Sequence, residues 1–153
     1  FILGNLILST CSINRIIPKI DNGLSLENAT TLKHAIEIVQ NMGKIIISTG
    51  EYIESNYHIR PSITALANHL NISQSYLYRV FFEEFGMSPK EYLNRFCMEQ
   101  AKMLLRTSDM NISQIAAAVG YTDVLAFSAF FSKRKGCSPT AYRERTKKAE
   151  QGM

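Results

Sequence analysis

The 153-residue sequence has no tryptophan, only four prolines and only three cysteines. Cys11, Cys97 and Cys137 lie far apart and include no CxxC pair. Neither a thiolate zinc site nor a disulfide framework is therefore expected, and an odd count in a chain of this size fits a reducing, cytoplasmic setting. His34, His58 and His69 are scattered without metal-ligand spacing. No Ser–His–Asp grouping, phosphate loop or paired carboxylates stand out, so no enzyme, cofactor or metal is expected. Long apolar runs are missing too. The opening FILGNLIL has no charged leader and falls well short of the ~18 apolar residues that span a bilayer, so no membrane partner is expected. An initiator methionine is also lacking, and residue 1 reads as a cut point inside a longer protein.

What is present is an uneven distribution of charge. Residues 1–58 carry four basic side chains against five acidic ones; residues 59–153 carry thirteen against eight. The positive excess therefore lies in the C-terminal two-thirds, as a polyanion-binding module requires. Charge by itself is a weak signal.

That same region says nearly the same thing twice. Ile63, Leu66, Ala67 and Leu70 match Ile112, Ile115, Ala116 and Val119, each 49 positions later. Leu77, Phe81, Gly86, Ser88, Pro89 and Tyr92 match Phe127, Phe131, Gly136, Ser138, Pro139 and Tyr142, each 50 positions later. The second copy thus has one extra residue in its turn. A repeat of this kind implies two copies of one supersecondary unit. Each reads as helix–turn–helix, whose second helix is shaped to enter a DNA major groove.

Punctuation agrees with that reading. Ser62 and Ser73 can cap two successive helices around the Asn71-Ile72-Ser73 turn, and Gly86 suits a helix end in the left-handed conformation. Ser88-Pro89-Lys90-Glu91 has the form of a capping box with proline in the first helical position, opening a helix over 88–106. Asn111 with Gln114 opens the next helix in the same way, Asp123 or Thr122 caps the one after it, and Gly136 ends it. Ala67 and Ala116 are small enough for the crossing of each helix pair. Leu77, Phe81 and Phe85, then Phe127, Phe130 and Phe131, are the apolar anchors of the two second helices. Helix 88–106 spans about 28 Å, against the ~34 Å between successive major grooves on one face of a duplex. A connector of that length sets two probes in adjacent grooves.

The N-terminal part is less ordered by pattern. Residues 1–24 hold β-branched runs broken by Gly4, Pro18 and Asp21-Asn22-Gly23, like the remnant of a strand-containing region. Leu26–Met42 has helical spacing at Leu32, Ala35, Ile36 and Val39. Gly43 is expected to stop that helix, with a second helix over Ile45–Ser55 burying Ile46, Tyr52 and Ile53.

The tandem pattern, L-x-x-x-F-x-x-x-x-G-x-S-P-x-x-Y after the first turn and I-A-x-x-V-G-Y-x-D then F-x-x-x-F-x-x-x-x-G-x-S-P-x-x-Y-R in the second copy, resembles the AraC/XylS family of bacterial transcription regulators. The resemblance covers roughly residues 48–147. It implies an all-α fold with two helix–turn–helix subdomains joined by a long linker helix. Residues 1–47 would be the remnant of a regulatory or oligomerisation region, 48–148 the DNA-binding domain and 149–153 a tail. It implies sequence-specific binding of double-stranded DNA to control transcription. RNA polymerase is a further possible partner, as is a homodimer formed through the missing N-terminal region.

By the same resemblance, the base-contacting positions of the first copy fall on Gln74, Ser75, Tyr78 and Arg79. Arg79 suits guanine O6 and N7 together; its bland alternative is an ion pair with Glu83 four residues on. Tyr78 suits phosphate or a thymine methyl, or half-buried packing. In the second copy the matching residues are Val124, Leu125, Ser128 and Ala129, where the family commonly has polar side chains. Ser128 can hydrogen-bond a base edge, and Val124 and Leu125 suit thymine methyls. Alternatively, this copy mainly grips phosphate. Ser73, Lys133, Arg134 and Lys135 are the phosphate candidates, although the last three also suit a solvated helix end favoured by the helix dipole. Base reading has two rivals. One is an interaction module, in which the apolar face of Val124, Leu125, Ala126 and Ala129 docks RNA polymerase or another protomer. The other is an enzyme with an accessory helix–turn–helix, whose reactive cysteine would need a depressed pKa, although neither Cys97 nor Cys137 has a histidine nearby in sequence.

Overall fold

A computed structural model describes residues 26–151; the strand-like expectation for residues 1–24 lies outside them. Among the described residues there are seven α-helices, one 3-10 turn and no strand. They are α1 (Leu26–Asn56), the turn Tyr57–Ile59, α2 (Ile63–His69), α3 (Gln74–Phe85), α4 (Pro89–Thr107), α5 (Ile112–Ala118), α6 (Val124–Lys135) and α7 (Pro139–Gln151). None of these helices is long and apolar enough to cross a membrane. The all-α expectation holds.

One boundary differs from the sequence reading. Gly43 does not end a helix: α1 is continuous for 31 residues from Leu26 to Asn56. An interior glycine costs only ~1 kcal/mol relative to alanine, and the apolar spacing continues on both sides of it. A Cβ built on Gly43 meets nothing within 4 Å, so no close packing demands glycine there. Of the residues expected to be buried on this stretch, Ile53 is buried while Ile46 and Tyr52 are only partly so.

The helices fall into two compact units, and their membership interleaves along the chain. Of the described residues, the first unit takes those up to Tyr52 together with Ile63–Pro89; the second takes Ile53–Ser62 together with those from Lys90 onward. In the first unit, α2 and α3 bury Leu66, Ala67, Leu77, Val80 and Phe81. The Tyr52 and His69 rings lie 4.4 Å apart. In the second unit, α5 and α6 bury Ile115, Ala116, Val119, Phe127 and Phe131. Phe131 also meets Tyr142 of α7 edge-on at 5.4 Å. Ala67 and Ala116 are each only 1% exposed, as a close helix crossing requires.

The two turns repeat at the level of single hydrogen bonds. Leu70, Asn71 and Ile72 donate their N–H groups to the carbonyls of Leu66, Asn68 and Ala67; Val119, Gly120 and Tyr121 donate to those of Ile115, Ala117 and Ala116. The six-residue closures, Ile72 to Ala67 and Tyr121 to Ala116, satisfy carbonyls at the helix end. Each turn has a left-handed residue at the same place, Asn71 at φ 53° and Gly120 at φ 82°. Register then shifts by one: the N-cap of α3 is Ser73 and that of α6 is Asp123. The inserted residue of the second copy is therefore Thr122. Both second helices end on left-handed glycines, Gly86 and Gly136.

Candidate nucleic-acid interface

The outward face of α3 follows from its caps and core. The Ser73 hydroxyl accepts the Tyr76 N–H at 3.2 Å and fixes where the helix begins. Leu77, Val80 and Phe81 turn inward, which leaves Gln74, Ser75, Tyr78 and Arg79 on the exposed side. Gln74 Nε2 donates to the Thr64 hydroxyl at 3.0 Å, tying the start of α3 to α2. Tyr78 is 39% exposed, which fits half-buried packing as well as contact with a ligand. The Arg79 guanidinium lies 5.0 Å from the centroid of Tyr76 and not against Glu83. A guanidinium over an aromatic ring gains a cation–π attraction.

The corresponding face of α6 is chemically different. Asp123 accepts the Leu125 N–H at 2.8 Å. Leu125 is 74% exposed, Ala129 is exposed, and Val124 and Ser128 are partly buried. The last turn carries Lys133, Arg134 and Lys135, whereas the last turn of α3 carries no basic residue.

Arg134 is already engaged. Both its terminal nitrogens donate to the two carboxylate oxygens of Glu91 at 2.8 Å, and its guanidinium lies 5.0 Å from the Phe130 ring. Its immediate role is thus to clamp α6 to the first turn of α4 within the second unit, while Lys133 and Lys135 beside it are exposed cations outside that clamp. The hydrogen bonds from Arg134 hold the Glu91 carboxyl below its ordinary range. A carboxylate with a lowered folded pKa stabilises the fold above its unfolded value, and loses that contribution as pH falls through the folded one. Thermal midpoints measured downward from neutral pH should therefore fall more steeply, below about pH 4.3, for the native chain than for Glu91→Gln. Parallel curves would rule the clamp out.

A second arrangement was not visible in the sequence pattern. Arg60 sits in the left-handed region at φ 48°. Its Nη2 donates to Asn94 Oδ1 at 2.7 Å, and its guanidinium lies 4.3 Å from the Tyr121 ring centroid. Gly120 packs directly beneath: an added Cβ would stand 2.5 Å from Arg60 Cγ and 2.8 Å from the His58 carbonyl oxygen. Tyr57–Arg60 therefore forms a strap across the α5–α6 turn, and it positions the start of α6. Local pattern gives no signal for it: Pro61 biases the residue before it toward extended backbone and not toward the left-handed region that Arg60 adopts, and the partners lie far along the chain.

Of the cysteines among the described residues, Cys97 has the surroundings of a core side chain. Cys97 is fully buried, and burial raises its thiol pKa, the opposite of what a nucleophilic thiolate needs. Among the described residues no cluster of three or more His, Cys, Asp or Glu side chains is placed to hold a metal ion.

Residues 66–145 match the family model described as a helix-turn-helix domain. The chain is 39% identical over 93 residues to the raffinose operon transcriptional regulatory protein of Pediococcus pentosaceus, covering 61% of this chain and 34% of that protein. It thus spans about a third of the length of that curated relative. Among solved structures, the C-terminal domain of AraT, a response regulator from Geobacillus stearothermophilus, is similar at TM-score 0.64 and 33% identity, over 66% of this chain and 84% of that one. The DNA-binding domain of AdpA, a global transcriptional factor solved in complex with a target DNA, is similar at TM-score 0.61 and 27% identity, over 66% and 90%.

Proposed function

The chain belongs to the AraC-type helix-turn-helix family, and from that premise we propose that it binds duplex DNA at particular sequences through two unlike probes, as part of a longer transcription regulator. The observation that carries this reading is the pair of equivalently capped helices, α3 and α6, whose exposed faces differ in chemistry. On α3, Arg79 reads guanine, with Gln74, Ser75 and Tyr78 beside it on the same face. On α6, Lys133 and Lys135 hold phosphate, Ser128 meets a base edge, and Val124 and Leu125 meet thymine methyls. The first unit reads bases, and the second supplies more of the backbone grip.

Selection of duplexes from a random library, followed by electrophoretic shift, tests this directly. Arg79→Ala should weaken binding to the selected site by ~1–3 kcal/mol and relax preference at one position. Lys133→Ala with Lys135→Ala should weaken all duplexes alike and lower the slope of log affinity against log salt by about two. Equal affinity of the native chain for selected and scrambled duplexes would discard the reading.

The exposure of Leu125 supports a second reading, in which the α6 face docks RNA polymerase. Leu125→Ala would then spare the electrophoretic shift and abolish transcription activation. Pairing of two copies belongs, in this proposal, to segments upstream of residue 48.

A further inference from the structure

The face that carries Arg79 continues one turn further, onto a residue that neither the pattern nor the family resemblance marks. Ser75, Tyr78, Arg79 and Phe82 stand at i, i+3, i+4 and i+7, which is one stripe of a helix. Phe82 is 66% exposed. Its neighbours Phe81 and Phe85 contact one another at 5.0 Å on the inward side, so exposure of Phe82 does not arise from a loosely packed helix end. Tyr78, 39% exposed, and Phe82 together place two aromatic side chains in water on that stripe, a feature that matches a ligand with an apolar group at that point.

The electrostatics of the helix end narrow the choice. The last turn of α3 has no basic side chain, and Glu83 beside Phe82 is exposed. A phosphate there would meet a carboxylate of like charge. The equivalent stretch of α6, 50 positions later, places Ser132, Lys133, Arg134 and Lys135 where α3 has Phe82, Glu83, Glu84 and Phe85. The end of α3 is therefore unsuited to the duplex backbone. In the major groove the one apolar group on the base edges is the thymine C5-methyl.

We propose that Phe82 is a specificity-determining residue that packs on a thymine methyl in the half-site read by α3. This rests on the DNA-binding reading above and adds a position to it. The consequence is a preference for thymine one helical turn beyond the Arg79 contact, set by shape and apolar contact without a hydrogen bond.

The test uses the whole chain and the best duplex from the library selection. Each thymine is replaced singly by deoxyuridine, which deletes only the methyl, and affinities are measured for the native chain, Phe82→Ala and Phe82→Leu. At one or more thymines the native chain should lose about fourfold in affinity, the value of one buried methyl-sized group. Phe82→Ala should lose nothing further there, and Phe82→Leu should fall between. Since Phe82 is exposed, Phe82→Ala should keep the native circular dichroism spectrum. If every thymine gives the same thymine-to-uracil ratio in the native chain and in Phe82→Ala, the assignment is wrong while the proposed function stands. If the native chain enriches no duplex, both are overturned together.

Discussion

Gly120→Ala should be among the most damaging single substitutions in the second unit, costing ~3 kcal/mol or more. Two penalties combine. The backbone at φ 82° lies where any L side chain is strained. The new Cβ would also overlap the His58 carbonyl oxygen at 2.8 Å and crowd the Tyr57 carbonyl oxygen at 3.0 Å. Arg60 Cγ, at 2.5 Å, belongs to a flexible side chain and can shift, but the carbonyls are backbone and cannot without moving the strap. Gly43→Ala is the matched control. Gly43 sits inside α1 with open space where a Cβ would stand, so that change should raise stability by ~0.5–1 kcal/mol. Urea unfolding of the two variants, with amide exchange to locate the effect, checks the contrast. Equal midpoints for Gly120→Ala and the native chain would show that the strap does not constrain the turn.

Phe127→Ala should cost ~3–5 kcal/mol. The Phe127 ring is fully buried, and lies 5.7 Å from Tyr121 and 6.0 Å from Phe131, centroid to centroid. Truncation removes an aromatic from the centre of that cluster and leaves a cavity that the neighbouring rings cannot fill. The repeat supplies an internal comparison, since the equivalent position in the first unit is Leu77, also fully buried. Phe127→Leu should therefore be much milder, about 1 kcal/mol, because a leucine already serves at that point of the same helix–turn–helix geometry. For a domain of this size each kcal/mol moves the thermal midpoint by roughly 4–8 °C. Calorimetry that ranked Phe127→Leu as severe as Phe127→Ala would refute the equivalence of the two cores.

Much of this architecture was legible because its determinants are local. Ser73, Asp123 and the Asn111–Gln114 capping box are side chains bonding the backbone two or three residues away, and Gly86 and Gly136 satisfy a backbone geometry that few residues tolerate. The repeat adds a second witness to each. The turn insertion, visible only as a change of offset from 49 to 50, resolves to Thr122 because the hydrogen bonds keep register through Tyr121. Gly43 was misleading for the same reason that Gly86 was informative: glycine permits a helix stop without requiring one. The Arg60–Asn94 bond and the Arg134–Glu91 clamp join residues 34 and 43 positions apart, and no local pattern records them. Arg134 illustrates the consequence for the site. Three consecutive cations look equivalent in the sequence, yet one of them is bound to a carboxylate that only the fold brings near.

The interleaved second unit limits how the molecule can be dissected. Tyr57–Arg60 precedes the entire tandem pattern in the chain, but it seats Gly120 near the other end of that pattern. A protease nick or a cloning boundary just upstream of Ile63 would preserve the whole tandem pattern and the matched residues 66–145, and would still sever the peptide on which the distal turn rests. Translation meets the same constraint from the other direction: the strap leaves the ribosome some sixty residues ahead of Tyr121, and must wait for its partner before the second unit can close.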